Sequence, residues 1–140
     1  MPVGGCFCGK VRLSLNGQPV TSGLCYCDDC RKLTGAPSTY NFIAKSSDVT
    51  ITGTPKEVAK SADSGNYIKN YFCPDCGTPL YGHKINPDGE PDGTTIIRAG
   101  IFDDGRIVRN RKPDAEIFTE RRPTWINPVE GAAQFCAPSP

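Results

Sequence analysis

Three cysteines, Cys25, Cys27 and Cys30, lie close together in one short segment of the chain. Thiols at this density are unusual for a hydrophobic core and suit a metal ion, because cysteine thiolates are zinc ligands. A structural zinc site has four protein ligands, whereas a catalytic site usually leaves one position open. This three-cysteine cluster therefore predicts a reactive zinc site with an open coordination position.

Four further cysteines form two pairs that flank this segment. They are Cys6, Cys8, Cys73 and Cys76. Small residues beside the first pair, and the glycine after the second, let the backbone turn so that the two thiolates of each pair can face one ion. This four-cysteine cluster predicts a closed structural site, so the expected cofactor is Zn²⁺, with one structural and one catalytic ion.

Spacing alone leaves a second division of the cysteines open. In that alternative, a ribbon-like four-thiolate zinc site is formed by Cys27, Cys30, Cys73 and Cys76. The other three clustered thiols, Cys6, Cys8 and Cys25, would then remain outside it. The last cysteine, Cys136, stands alone near the C-terminus and is interpreted as a free thiol.

The composition bounds the size and the partners of the protein. The chain has 140 residues, of which 37% are hydrophobic and 13 are prolines, which predicts one domain with a modest core. We expect a zinc domain over residues 1–127 and a loosely ordered tail over 128–140. The net charge of +1 gives no sign of nucleic-acid or anionic-membrane binding and favours a small-molecule or protein partner.

The sequence shows no targeting or membrane signal. No segment approaches the roughly 18 apolar residues that a membrane-spanning helix needs, and the N-terminus lacks a basic segment followed by an apolar run. We therefore expect a soluble, cytoplasmic protein. Clustered cysteines in a reducing compartment favour metal binding, and disulfides are the alternative only for an exported chain.

The remaining pattern is typical of a mainly β fold with several short antiparallel sheets and little helix. Runs of β-branched, aromatic and alternating apolar residues predict strands at 11–15, 38–44, 49–52, 57–61, 66–72 and 94–99. The pair Ile107 and Val108 is also interpreted as β, after a turn. Residues 18–24 predict a polar connection, and 28–33 predict one helical turn that stops near Gly35.

Three segments carry a specific resemblance to a known family. They are 4–12 (GGCFCGKVR), 25–35 (CYCDDCRKLTG) and 71–80 (YFCPDCGTPL), and the similarity continues through 98–104 and 113–125. On these motifs the chain resembles the glutathione-dependent formaldehyde-activating enzyme and centromere protein V family. The chain departs from that pattern at Tyr26 and Glu116, where family members often carry His.

The resemblance implies an Mss4-like fold and supports the division of the cysteines into four and three. The implied structural zinc ligands are Cys6, Cys8, Cys73 and Cys76, and the implied ligands of the second, catalytic zinc are Cys25, Cys27 and Cys30. It also implies a carbon–sulfur lyase or synthase of the S-(hydroxymethyl)glutathione synthase type, with a thiol such as glutathione and a small carbonyl compound as partners. A zinc module that binds protein without catalysis is the alternative.

Further side chains are candidates for substrate contacts. The cations that could meet carboxylates of the thiol are Lys10, Arg12, Arg31, Lys32 and Arg98. We interpret most of them as solvated surface charges. Thr34 could offer a donor beside the metal, and Tyr26, Tyr40 and Tyr71 could donate protons. The single histidine, His83, is given no role.

Metal stoichiometry separates the enzyme from the binding module. We expect elemental analysis of the purified protein to find two zinc ions per chain. Thiol titration should show that glutathione or a mild chelator releases only one of them, because the three-cysteine site is open. One tightly held zinc ion would instead favour the non-catalytic module.

Overall fold

The computed structural model describes residues 1–61 and 67–137, so Asn66 of the predicted strand 66–72 and residues 138–140 lie outside it. In chain order the strands are β1 (Val3–Gly5), β2 (Arg12–Leu15), β3 (Thr21–Cys25), β4 (Thr39–Lys45), β5 (Val49–Thr52), β6 (Lys56–Ser61), β7 (Tyr67–Phe72), β8 (Pro79–Ile85), β9 (Thr94–Arg98), β10 (Ala115–Ile117) and β11 (Ala133–Gln134). The helices are α1 (Asp28–Thr34) and α2 (Arg106–Asn110), and single 3₁₀ turns cover Ser46–Asp48, Ala99–Ile101 and Thr119–Arg121.

The strands form two sheets. The smaller sheet is antiparallel, in the order β1-β2-β5. The larger sheet has the order β11-β10-β3-β4-β9-β8-β7-β6 and is mixed, because β10 runs parallel to both of its neighbours. The predicted mainly β class with little helix is confirmed, although the strands form one small and one large sheet rather than several short ones.

The main core lies between the two sheets. In β2, Leu13 and Leu15 are buried and alternate with the half-buried Arg12 and Ser14. These leucines join a cluster contributed by the centre of the large sheet and the turn after it, which includes Phe42, Ala44, Leu80, Tyr81, Ile97, Ala99 and Phe102. Burial of this apolar surface holds the small sheet against the large one.

Residues 18–24, predicted as a polar connection, contain the strand β3. That prediction is wrong because the strand is identified by its pairing and not by apolar side chains: it lies between β4 and β10. The buried polar residue Ser22 is satisfied by Asp114, whose carboxylate accepts hydrogen bonds from its amide at 2.9 Å and from its hydroxyl at 3.2 Å. A buried serine with its own partner gives no hydrophobic signal.

The β interpretation of Ile107 and Val108 is also wrong, because both lie in α2. The Asp104 carboxylate accepts a hydrogen bond of 3.0 Å from the amide of Arg106, the first residue of α2. Both β-branched side chains pack against the main core, so tertiary contacts outweigh their β propensity. The predicted helical turn is confirmed as α1, which ends at Gly35 with φ of 68°.

The end of the described chain is joined to the large sheet. Strand β11 pairs with β10, and the amide of Phe135 donates a 2.9 Å hydrogen bond to the carbonyl of Glu116. The predicted domain boundary at residue 127 stays a prediction. Among the helices that the structure describes, none has the length and apolar character needed to cross a membrane.

Gly4 is required where β1 approaches the turn after β9. A Cβ atom added at Gly4 would overlap the backbone carbonyl of Ile101, whereas one added at Gly100 meets nothing within 4 Å. We expect Gly4→Ala to lower the free energy of unfolding by about 1–3 kcal/mol, the usual cost of overpacking.

The matched control is Gly100→Ala, which should stay within about 0.5 kcal/mol of the parent, as surface substitutions usually do. Urea denaturation of both variants measures the difference. Equal midpoints for Gly4→Ala and the parent would contradict the close packing of β1.

Candidate functional site

The four-cysteine cluster is assembled from two loops. Cys6 and Cys8 lie between β1 and β2, while Cys73 and Cys76 lie between β7 and β8. The sulfur atoms of Cys6 and Cys8 are 3.5 Å apart, and those of Cys8 and Cys73 are 3.7 Å apart. All four sulfurs lie within 4.8 Å of one another. Gly77, with φ of 79°, closes the second loop in a conformation that glycine adopts readily.

Hydrogen-bond donors surround the sulfurs of this cluster. The amide of Val11 donates to the Cys6 sulfur at 3.3 Å. The Thr78 hydroxyl lies 3.1 Å from the sulfur of Cys76, and this contact, together with the Thr78 amide, lowers the pKa of Cys76 to about 5. Donors directed at sulfur favour the thiolate form, which is the form that binds metal.

The four-cysteine cluster fits a metal ion. Tetrahedral bonds of about 2.3 Å from zinc to sulfur place neighbouring sulfurs about 3.8 Å apart. The observed sulfur separations of 3.5 and 3.7 Å are close to that value without any rearrangement of the loops. The donor set and its spacing therefore suit a closed four-ligand site.

The three-cysteine cluster is built on the junction of β3 and α1. Cys25 ends β3, Cys27 is the N-cap of α1, and Cys30 lies in the helix. The Cys27 sulfur accepts a hydrogen bond of 3.3 Å from the amide of Cys30. The three sulfurs lie within 4.8 Å of one another, and only 6%, 6% and 8% of these residues is exposed. The donor set again suits a thiophilic metal ion.

Electrostatics within this cluster favour an anion. Contacts with the thiols of Cys25 and Cys27 lower the pKa of Cys30 to about 3, against the effect of burial. Thr39 and the positive charge of Arg98 act in the same direction. The pKa of Cys25 is raised by its contacts with Cys27 and Cys30, and that of Cys27, against the effect of Cys25, is raised by Cys30 and by burial, so a negative charge is favoured at Cys30 alone.

The two clusters are separate groups. The ribbon-like alternative required Cys27 and Cys30 to lie beside Cys73 and Cys76, and the structure instead places these pairs in different groups. Cys136 is exposed, and it belongs to neither group in the described part of the chain. The cysteines are thus divided four and three in space. That they bind zinc, and that the second group is catalytic, stay predictions.

The candidate substrate-binding cations differ in their surroundings. Lys10 pairs with Asp75 at 3.0 Å, and its side chain is 68% exposed. Arg31 pairs with Asp28 at 3.7 Å and is 52% exposed. Arg12 likewise pairs with Asp103 near the surface. These three agree with the interpretation as surface charges, whereas Arg98 does not.

Arg98 lies at the end of β9 and is held by two amide side chains. Its guanidinium donates to Oδ1 of Asn41 at 2.7 Å and to Oδ1 of Asn70 at 2.8 Å. Asn41, Asn70 and Thr39 were not among the site residues predicted from the sequence. The signal in the sequence was weak, because each is a single polar residue in a segment of β character: Thr39 begins β4, Asn41 follows in the same strand, and Asn70 lies in β7.

Arg98 also lines a cavity of about 420 Å³. Its other lining residues are Lys32, Leu33, Lys56, Glu57, Val58, Asn70, Tyr71, Phe72, Gly77, Pro79 and Tyr81. Small-molecule sites have volumes of about 300–1,000 Å³, with mostly apolar walls and a few polar groups. The cavity is therefore large enough for a small organic ligand. Thr34, by contrast, donates its hydroxyl to the carbonyl of Cys30 within α1.

The two positions that depart from the family pattern contact each other. The Tyr26 hydroxyl donates to Oε1 of Glu116 at 3.1 Å, and Glu116 is fully buried. Its Oε2 accepts hydrogen bonds from the amide of Val129 at 2.9 Å and from Nε2 of Gln134 at 2.6 Å. Burial favours the neutral acid, but these donors outweigh it and lower the pKa of Glu116. The carboxylate joins the segment after β10 to the loop of the three-cysteine cluster.

The other candidate tyrosines and the histidine make contacts within the fold. The Tyr40 hydroxyl donates to the carbonyl of Arg111 at 2.8 Å. The ring of Tyr71 stacks on Tyr81 at 4.6 Å, and His83 packs at 5.5 Å from Tyr81. Burial lowers the pKa of His83. These contacts indicate that Tyr40, Tyr71 and His83 serve in packing.

The fold and the two clusters define a β-rich protein with two candidate metal centres. A family model described as glutathione-dependent formaldehyde-activating enzyme matches residues 1–121. The chain belongs to this family. A crystal structure of a Rhodobacter sphaeroides protein, a structural genomics target, is similar with a TM-score of 0.53 and 16% identity, covering 95% of this chain and 98% of that chain. At that identity the likeness concerns the fold alone. A search of curated proteins finds no match.

The four-cysteine cluster should carry much of the stability. We expect Cys73→Ser or Cys76→Ser to abolish cooperative thermal unfolding, because structural zinc sites couple about 10 kcal/mol or more of binding energy to folding. Circular dichroism melting and zinc analysis of the variants measure the effect.

Cys136→Ser is the matched control, since Cys136 is exposed and outside both clusters. Its melting curve should overlay that of the parent. If Cys76→Ser also melts like the parent and keeps all of its zinc, then Cys76 is not a ligand of a structural site.

Proposed function

We propose that the protein is a zinc-dependent carbon–sulfur lyase or synthase of the S-(hydroxymethyl)glutathione synthase type. The observation that carries this proposal is the three-cysteine cluster. Its three buried sulfurs converge, and no fourth Cys, His, Asp or Glu ligand completes the group among residues 1–61 and 67–137. An incomplete ligand set is the usual mark of a catalytic zinc site. Membership in the family supports the same assignment.

In this proposal Cys6, Cys8, Cys73 and Cys76 hold the structural ion, and Cys25, Cys27 and Cys30 hold the catalytic one. Zinc bound by the three thiolates would supply an open coordination position for the sulfur of an incoming thiol and would favour its thiolate form. The three thiolates also leave the centre with a net charge of about −1, which disfavours generation of hydroxide. The donor set therefore suits sulfur chemistry better than hydrolysis.

The reaction is the reversible addition of a thiol to an aldehyde. The S–H bond of the thiol breaks, a C–S bond forms at the carbonyl carbon, and the carbonyl oxygen takes a proton. In the reverse direction the hydroxyl of the adduct loses its proton, and the C–S bond breaks to return thiol and aldehyde. No oxidant or reductant is needed in either direction.

The proposed partners are a small-molecule thiol such as glutathione and a small aldehyde such as formaldehyde. The family description names both compounds. The cavity of about 420 Å³ beside Arg98 is large enough for the body of a thiol of this size. We propose a cytoplasmic location, because a reducing compartment keeps both the substrate thiol and the cysteines reduced.

Replacement of Cys27 tests the proposal. We expect Cys27→Ser to abolish turnover while most of the fold remains, because the three cysteines lie close in sequence and their metal ion crosslinks no distant segments. Zinc content should fall from two ions to one, and thermal melting should stay near that of the parent.

Turnover is measured as cleavage of a thiol–aldehyde adduct above the rate in buffer alone, since such adducts also dissociate without a catalyst. Cys136→Ser serves as the active control and Cys76→Ser as the unstable one. Full turnover by Cys27→Ser, or a collapse as severe as that of Cys76→Ser, would refute the assignment.

A further inference from the structure

Arg98 is a partly buried cation that is held by neutral side chains. Its two acceptors are the neutral amides of Asn41 and Asn70. Its Nε is inaccessible to solvent and makes no hydrogen bond to any described residue. Glu57 lines the same cavity, but among the described residues no carboxylate forms an ion pair with Arg98. A partly buried guanidinium normally requires a compensating negative charge.

The strand order places Arg98 next to the three-cysteine cluster, since Arg98 lies opposite Asn41 in the β4–β9 pair and Cys25 lies opposite Thr39 in the β3–β4 pair. Burial lowers the pKa of Arg98, and the charge of the cluster, at Cys30 first, acts against that effect. A path of contacts also joins Arg98 to strand β3, which ends at Cys25. Nδ2 of Asn41 donates to the Thr39 hydroxyl at 2.9 Å, and Thr39 lies opposite Cys25 in the β3–β4 pair. Arg98 therefore lies close enough for its charge to act on this cluster.

The position of this charge is fixed by the sheet. The donation from Nδ2 of Asn41 to Thr39 leaves Oδ1 of Asn41 facing Arg98. Asn70 lies opposite Gly82 in the β7–β8 pair, and a Cβ atom added at Gly82 would come within 3.0 Å of Oδ1 of Asn70. The missing side chain at Gly82 thus leaves room for the second acceptor. Groups held by strands in this way are well suited to a preorganised site.

We propose that Arg98 is a positioning residue whose charge holds the sulfur of an incoming thiol as a thiolate at the three-cysteine cluster, with the body of the thiol in the 420 Å³ cavity that Arg98 lines. This inference rests on the proposed function. Three thiolates around Zn²⁺ give a net charge of −1, and a fourth would give −2. A fixed cation nearby offsets that repulsion, and its effect is larger where water is excluded.

The proton of the thiol is released to solvent and not to Arg98. A guanidinium has no acceptor and does not titrate in the working range of pH. Arg98 therefore acts through charge alone. A carboxylate of glutathione is the other group that it could attract, and a thiol without any carboxylate separates the two roles.

The test uses the full chain with cobalt in place of zinc, because Co²⁺–thiolate absorption reports a sulfur that binds the metal. The probe is 2-mercaptoethanol, a neutral thiol. At fixed pH we expect Arg98→Met to weaken its binding about tenfold or more, corresponding to about 1.4 kcal/mol. Arg98→Lys should recover most of the affinity, since it keeps the charge.

Arg111→Met is the matched control. Arg111 also has a buried Nε without a hydrogen-bond partner, but it lines a different cavity. Its substitution should leave thiol affinity within about twofold of the parent. Metal content is measured for every variant, so that loss of cobalt is not mistaken for loss of thiol binding.

If Arg98→Met does not fold, Asn70→Asp provides a second test of the same charge. This change is nearly isosteric and places a carboxylate against the Arg98 guanidinium, so that the charge is neutralised in place. We expect the same loss of about tenfold in affinity for 2-mercaptoethanol.

Each remaining outcome overturns part of the account. Unchanged affinity in Arg98→Met or in the folded Asn70→Asp protein would refute the role of Arg98 alone. Weaker binding of glutathione with unchanged binding of 2-mercaptoethanol would show that Arg98 contacts a carboxylate and not the sulfur. If no thiol changes the spectrum of the parent protein, the proposed function fails together with this inference.

Discussion

The convergence of two loops that are distant in sequence is the constraint on which the rest of the structure depends. The sulfurs of Cys8 and Cys73 are 3.7 Å apart although 65 positions separate them. Closing a loop of that length reduces conformational entropy, and thiolates brought together repel one another. A bound metal ion would offset both costs. The same convergence holds the β1–β2 side of the small sheet beside the β7–β8 side of the large one, over the main core.

The three-cysteine cluster is instead built from one short segment of the chain. Its sulfurs come from the local junction of β3 and α1, so the candidate metal ligands need no distant segment. The groups that surround the cluster electrostatically do come from distant segments, because Asn41, Asn70 and Arg98 belong to β4, β7 and β9. The three cysteines come from one segment of the chain, and the counter-charge comes from other strands. Stability and reactivity can therefore be altered by separate substitutions. That separation fits the proposal of one closed and one open metal centre.

The sequence predicted the parts of the site that repeat a local pattern. The clustered thiols, the strand character of β2, β4 and β9, and the end of α1 at Gly35 follow from spacing and propensity. The strand β3 was missed because Ser22 is satisfied by Asp114, 92 positions away. In the sequence, Arg98 and Lys10 are both candidate basic residues, and nothing distinguishes their roles. Only the strand order places the charge of Arg98 beside buried thiols. The contact between Tyr26 and Glu116 likewise depends on the parallel pairing of β10 with β3.

The division of the metal sites is tested most directly by anomalous scattering from crystals of the purified protein, recorded on both sides of the zinc edge. We expect two separate peaks in the anomalous difference map. One should lie among the sulfurs of Cys6, Cys8, Cys73 and Cys76, and the other among those of Cys25, Cys27 and Cys30. A single peak, or a peak at only one of the two clusters in zinc-saturated protein, would contradict the account of two zinc centres with different roles.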